Sequence, residues 1–386
     1  MTFATRSRER SSFLDSYARS RPDFVLVATY IAISLLGLLM IYSATAPGLE
    51  ARGLDPTREL KAQALFVLVG FVVFAVSSTL DLTEIRRFVG PIYIASTLLL
   101  VVVLTGLGDS EGVAQRWIDL GPVQFQPSEI AKIAVILMLA SLLARAAVPL
   151  TWTTVARAIM VVAIPAALIF LQPDLGTMLV FAFVLLAVLF VAGVTMRQLG
   201  FLGVATILGT VGIFQLNLIK SYQIDRLTAF IDPGSHELTL SYNQVQSEIA
   251  IGSGGLVGKG LFEGSQTNLQ FVPVQSSDFI FTAVGEQFGF IGSVVVIGLF
   301  SILLFRLLSI SVAAKDRFSF LVTAGIASMF AFHIFVNIGM TIRIMPVTGL
   351  PLPFMSAGGT VFVAMSAALG LAHSVWIHRK EPAGDR

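Results

Sequence analysis

Residues 271–293 read FVPVQSSDFIFTAVGEQFGFIGS. A polar stretch ends at Ser277, a carboxylate follows at Asp278, and from Phe279 the chain stays apolar to about residue 305. Such a run exceeds the ~20 residues that cross a bilayer core, and it lacks the alternation of a barrel strand. It is read as a transmembrane helix with an acid at its doorway. Asp278 then either caps that helix or does chemistry at the membrane edge.

The rest of the chain fixes the class. Of 386 residues, 55% are hydrophobic and 12% charged, where a soluble domain carries about 25% charged residues. The fold class is an all-α polytopic membrane protein. Apolar runs mark about ten transmembrane helices, near 24–43, 62–80, 88–107, 129–147, 154–171, 175–194, 198–219, 279–305, 318–342 and 356–377. Two long connections, 108–128 and 220–278, interrupt otherwise short turns. The first run is longer than the 7–15 residues of a signal peptide and is read as an uncleaved span, despite Ala44-Thr45-Ala46 at its end.

Lys and Arg set the orientation. Arg6, Arg8, Arg10, Arg86, Arg87, Arg145, Arg157, Arg197, Arg306, Lys315, Arg317 and Arg379 fall on one side, which is then cytoplasmic. Both termini lie there, and the large 220–278 loop between spans 7 and 8 is extracytoplasmic. The chain divides into a basic tail 1–23, a membrane domain 24–378 and a tail 379–386. The outer side nevertheless holds Arg116, Lys132, Lys259 and Arg343. Cations there suit an anion such as phosphate, although long translocated loops also tolerate charge.

No cysteine is present, which excludes disulfides and thiolate metal sites. The four histidines (His236, His333, His373 and His378) make no zinc pattern. No dedicated metal site is legible, and a divalent cation such as Mg²⁺ is compatible with the sequence without being required by it. No charge pattern implies a nucleic-acid partner.

Several constellations carry chemistry. Pro127-Ser128-Glu129 reads as a helix start with Ser128 near the cap. Glu129 and Lys132, at i,i+3, share one face, as a structural ion pair or as part of an aqueous cavity. In Gln172-Pro173-Asp174 the proline ends one helix and Asp174 caps the next. GSGGLVGKG at 252–260 fails as a phosphate loop, because Ser253 and Gly260 stand where Gly and Ser/Thr are needed. Its glycines are read as enabling tight turns. Asn337, Arg343, Pro346, Pro351 and Pro353 lie at a broken junction, a backbone tolerated only where a cavity or protein shields it. Glu286, eight residues beyond Asp278, falls roughly on the same helical face.

QPSE, QPDLGT, QSEIAIGSGGLVGKG, DFIFTAVGEQFGFIG and NIGMTIRIMPVTGLPLPFMSAGG occur here in order. With them the chain resembles the SEDS family (shape, elongation, division and sporulation) of bacterial cell-wall proteins over essentially all ten spans. PVTGLPLPF with the GKG and GSQ elements is more similar to its RodA-like branch than to its FtsW-like one. The resemblance implies a peptidoglycan glycosyltransferase of the cytoplasmic membrane, polymerising lipid II into β-1,4 glycan strands, with inversion, during cell elongation. It implies a class B penicillin-binding protein as partner. It puts the essential acid at Asp278 and Glu129, Lys132 and Arg116 in the outward cavity. A leaving pyrophosphate needs charge stabilisation, which we expect from Arg116, Lys132, Lys259 and Arg343, with Glu286, Asn337, Gln246 and Ser247 supporting the cavity beside Glu129. The family commonly has Pro-Glu-x-His-Thr where this chain has Pro273-Val274-Gln275-Ser276-Ser277. A transporter of lipid-linked precursors is the alternative in another class; midplane charges and repeated halves would favour it, and neither is evident here. A non-catalytic scaffold for a penicillin-binding protein is the third reading.

Overall fold

The computed structural model describes residues 21–105, 109–111, 114–119, 121, 124–215 and 242–379. In chain order these form α1 (Phe24–Ala51), α2 (Arg58–Thr79), α3 (Leu82–Val103), β1 (Asp109–Glu111), β2 (Ala114–Asp119), β3 (Gln124–Phe125), α4 (Pro127–Leu143), α5 (Trp152–Leu171), α6 (Leu175–Ala192), α7 (Met196–Gln215), α8 (Tyr242–Gly254), α9 (Ser265–Asn268), α10 (Ile280–Val312), α11 (Arg317–Thr341) and α12 (Gly359–Ile377). The long helices follow the apolar runs, because only internally bonded backbone is stable in lipid. Eight of them are long and apolar enough to cross a membrane: α1, α2, α3, α5, α6, α10, α11 and α12. The α4 helix, at 17 residues, is shorter than the run that predicts it. Lys220 and Arg226, two further cations that the sequence puts on the outer side, lie outside the described residues.

Two details depart from expectation. The 108–128 connection is not plain loop, since β1, β2 and β3 form a small antiparallel sheet in the order β1-β2-β3. The 220–278 connection contains α8 and α9, and α8 packs on α10 and α11.

The α11 helix is buried almost throughout, whereas α3 keeps most of its apolar side chains on the outside. The bundle therefore has a protein-facing centre and a lipid-type rim. At one end, charges lock helix termini together. Asp23 caps α1 by accepting from the Leu26 N–H at 3.1 Å, pairs with Arg306 of α10, and its own N–H donates to Nε2 of His373 on α12 at 3.0 Å. Arg317 donates to the carbonyls of Ala146 (2.6 Å) and Ala192 (2.9 Å), satisfying backbone beyond or at the ends of α4 and α6. Lys315 meets Asp81, the N-cap of α3, at 3.1 Å.

The α10 helix is two helices joined at Gly289, whose φ of 64° and ψ of −158° are non-helical. That region is essentially accessible only to glycine. The break frees backbone groups, and the glycine-rich segment supplies their partners. Lys259 and Gly260 donate N–H to the Glu286 and Gln287 carbonyls (3.0 and 3.1 Å), while Phe290 and Ile291 donate to the Gly255 and Leu256 carbonyls (2.9 and 3.1 Å). The glycines thus serve close backbone approach as well as turns: a Cβ on Gly258 would lie 2.1 Å from the Gln287 carbonyl oxygen.

Candidate active site

At the end of the bundle opposite the Asp23–Arg306 lock lies a cavity of about 160 Å³. Its walls come from the hairpin (Arg116, Trp117), the start of α4 (Gln126, Glu129), the α5–α6 turn (Asp174, Thr177), the entry to α10 (Ser277, Asp278) and the irregular chain before α12 (Gly349 to Pro351, Ala357, Gly358), with Val361 of α12. The proline-rich junction does line a cleft, as shielded irregular backbone requires.

Asp278 is not the helix cap. The N-cap of α10 is Phe279, which makes no side-chain cap bond, and the helix starts at Ile280. The carboxylate lies one residue further out, on the cavity wall. Its backbone is fixed from several elements: Asn337 Nδ2 donates to the Asp278 carbonyl at 2.8 Å and to that of Leu350 at 2.8 Å. The Asp278 N–H donates to the Val274 carbonyl at 3.1 Å. Ser356 Oγ donates to the Ser277 carbonyl, and Ala357 N–H to that of Ser276 at 2.8 Å.

Glu129 and Lys132 form a buried ion pair at 2.9 Å, with side chains 4% and 2% exposed. Lys132 also reaches His333 Nε2 at 3.1 Å, and His333 Nδ1 lies 3.2 Å from the Pro351 carbonyl. A carbonyl only accepts, so Nδ1 carries the proton and Nε2 accepts from the ammonium. His333 was missed in the sequence; the available signal was a lone ionisable residue inside a span. Pro127 stands at N1 of α4 as its fixed φ favours, but the N-cap is Gln126 and Ser128 lies inside the helix.

Arg116 is a clamp. It donates through Nε to the Gln172 carbonyl at 3.3 Å and through Nη2 to that of Pro173, and lies 4.0 Å from Asp174. Asp174 caps α6 as expected, accepting from the Thr177 N–H at 3.1 Å and its Oγ1 at 2.9 Å.

Other expected members lie elsewhere. Lys259 is bound to Glu286 at 2.9 Å. Glu286 also accepts from the Gln266 and Thr267 N–H groups (2.8 and 2.9 Å) and from Thr267 Oγ1 (2.7 Å). A carboxylate saturated in this way staples α9 to α10 and does not line the cavity, which corrects its expected place beside Asp278. Asp278 stands outside the helix, so the expected common face does not form, and α9 covers Glu286. Arg343 pairs with exposed Glu248 at 3.2 Å. Ser247 bonds Thr282 Oγ1 at 2.5 Å and the Thr341 carbonyl at 2.8 Å. Gln246 is half-buried on α8, away from the cavity wall. Lys132 stands behind Glu129 and is not on the wall either. Among the described residues, no group of three or more His, Cys, Asp or Glu is arranged to hold a metal ion.

The FtsW/RodA/SpoVE family model, described as that of a cell cycle protein, matches residues 23–381. The chain belongs to this family. It is 38% identical over 360 residues to the peptidoglycan glycosyltransferase MrdB of Escherichia coli strain K12, covering 93% of this chain and 94% of that one. Among solved structures it resembles the rod shape determining protein RodA of Thermus thermophilus at 31% identity and a TM-score of 0.69, covering 95% of this chain and all of that one. It also resembles a chain of a peptidoglycan synthase complex that coordinates polymerization and crosslinking, at 30% identity and a TM-score of 0.78, covering 92% and 98%.

Within this FtsW/RodA/SpoVE chain, the departure at 273–277 falls mostly outside the cavity. Val274 is exposed, and neither it nor Ser276 lines the wall. Gln275 is buried and donates to Thr267 Oγ1 at 3.0 Å, which ties this segment to the Glu286 staple.

Proposed function

We propose that Asp278 is the general base of a lipid II polymerase acting at the outer face of the membrane. The protein is a peptidoglycan glycosyltransferase of the bacterial cytoplasmic membrane, a multi-pass member of a family whose similar relatives carry that activity in their names. The observation that carries the assignment is a carboxylate on a cavity wall whose backbone is held from α11, the 346–358 segment and its own turn.

The chemistry follows from the geometry. A hydroxyl of the acceptor sugar enters the cavity and Asp278 accepts its proton. The freed oxygen pair attacks the anomeric carbon of the donor, and the bond from that carbon to the pyrophosphate oxygen breaks, its electrons leaving on undecaprenyl pyrophosphate. Attack opposite the leaving group turns an α-linked donor into a β-1,4 linkage. A positioned base contributes about 10²–10⁴-fold, and rigid placement of the acceptor adds to it. Arg116 ties the hairpin to the α5–α6 turn at the cavity wall, so its guanidinium is engaged in structure.

Orientation supports the outer face. The Arg145, Arg306, Lys315, Arg317 and Arg379 end is the cytoplasmic one by charge bias, and the cavity lies at the other. The partner is a class B penicillin-binding protein that cross-links the nascent strand, a reading supported by the likeness to a chain of a synthase complex.

Asp278→Ala is expected to abolish strand synthesis from purified lipid II in detergent, with the melting temperature of the parent retained. Polymer of normal length from that variant would sink the proposal. Synthesis in detergent, where no leaflets exist to flip across, also separates a polymerase from a transporter.

A further inference from the structure

Glu129, another carboxylate of the cavity wall, has an oxygen that the proposed mechanism leaves unused. Glu129 lines the same cavity as Asp278, is 4% exposed, and gives only Oε1 to Lys132. Its Oε2 is buried and makes no hydrogen bond within the protein. An unsatisfied buried acceptor of this kind is uncommon and costly, and a charged one more so. The oxygen is held still, because Lys132 is itself fixed by His333, whose other nitrogen bonds the Pro351 carbonyl. Pro351 belongs to the same cavity wall.

The charge balance says what this oxygen receives. The cavity wall carries three carboxylates, Glu129, Asp174 and Asp278, and one cation, Arg116, among the described residues. Arg116 is already engaged by two carbonyls and by Asp174, and Lys132 lies behind Glu129 and only balances it. No surplus positive charge remains for a pyrophosphate on this wall. An ionised carboxylate oxygen accepts hydrogen bonds and repels phosphate.

We propose that Glu129 Oε2 is a substrate-binding group that accepts a hydrogen bond from a neutral sugar donor, a hydroxyl or an acetamido N–H, with Lys132 and His333 as positioning residues behind it. The cavity then holds the saccharide, and the pyrophosphate of the donor lies outside this wall. The inference rests on the polymerase reading and deepens it by assigning the ligand chemistry of the Glu129 side.

Removing Glu129 alone would strand a buried ammonium, so the pair is replaced together. Glu129→Gln with Lys132→Met keeps an acceptor oxygen without leaving a charge; Glu129→Leu with Lys132→Met removes the acceptor and keeps the volume. Both are compared in detergent for melting temperature, for kcat and KM in lipid II polymerisation, and for lipid II affinity in an Asp278→Asn background. The Leu/Met form is expected to bind lipid II about 10- to 100-fold more weakly than the Gln/Met form, the size of a lost hydrogen bond to a site built for it. Inhibition by inorganic pyrophosphate is expected to be unchanged in both. Equal lipid II affinities in the two forms would overturn the proposal, whether or not either retains turnover. Weakened pyrophosphate inhibition in both would also overturn it, by assigning the pair to the leaving group. Failure of the polymerase reading is recognised separately, by an unmodified enzyme that makes no polymer.

Discussion

Asn337 offers the sharpest test of how the structure positions its base. Its side chain is fully buried, and its one amide nitrogen serves two carbonyls, Asp278 and Leu350, each at 2.8 Å. Asn337→Asp preserves the shape while replacing that donor with oxygen. Both carbonyls then lose this donor and face an oxygen in its place, at ~1–3 kcal/mol each, or ~2–6 kcal/mol together. If that energy is relieved by moving the Asp278 backbone, the loss falls on the transition state. At 1.36 kcal/mol per factor of ten, it corresponds to ~30-fold to ~10⁴-fold in kcat. The assay is steady-state strand synthesis from purified lipid II, run well below the melting temperature of the variant so that only folded enzyme is counted. A kcat at least ~30-fold below the parent, with KM changed little, is the expected outcome. A folded Asn337→Asp enzyme within about threefold of the parent kcat would refute the reasoning, because Asp278 would then hold its place without this donor.

Two further outcomes follow from the helix break and the charged end. Gly289→Ala should lower the melting temperature sharply: the left-handed backbone costs ~1–3 kcal/mol for a side chain, and its Cβ would sit 2.4 Å from the Gly258 nitrogen. An unchanged melting curve would mean that the segment carrying Leu256 and Gly258 is free to retreat. At Asp81, burial alone would raise the carboxyl's pKa; hydrogen bonds from Thr83 and Lys315 outweigh it and hold the value below normal. Its stabilising contribution is therefore full above the unfolded value near 4 and fades as pH falls through the lower folded value. Lys315→Met should flatten part of that acid-side loss in melting scans from pH 6 to pH 3. The effect should stay below ~1 kcal/mol because the pair is partly exposed; identical pH slopes in parent and variant would remove Lys315 from the account.

The membrane class was legible without any coordinates, because runs of ~20 apolar residues have few stable alternatives in lipid or water. So were Asp174 as a cap and Glu129–Lys132 as a pair, since both depend on neighbours within one turn. Asp278 was legible as a carboxylate at the doorway, but its role was not: a cap bond and a cavity wall differ by one residue of helix start, which packing sets. Packing, not local spacing, put α9 over Glu286 and bound Lys259 and Arg343 to acids of their own. Only it placed His333 behind Lys132, across 201 residues of chain. Local spacing reports what a helix face presents, and nothing in it records which distant segment covers that face. Here that difference separates the cavity-wall carboxylate of Asp278, the proposed base, from a structural one at Glu286.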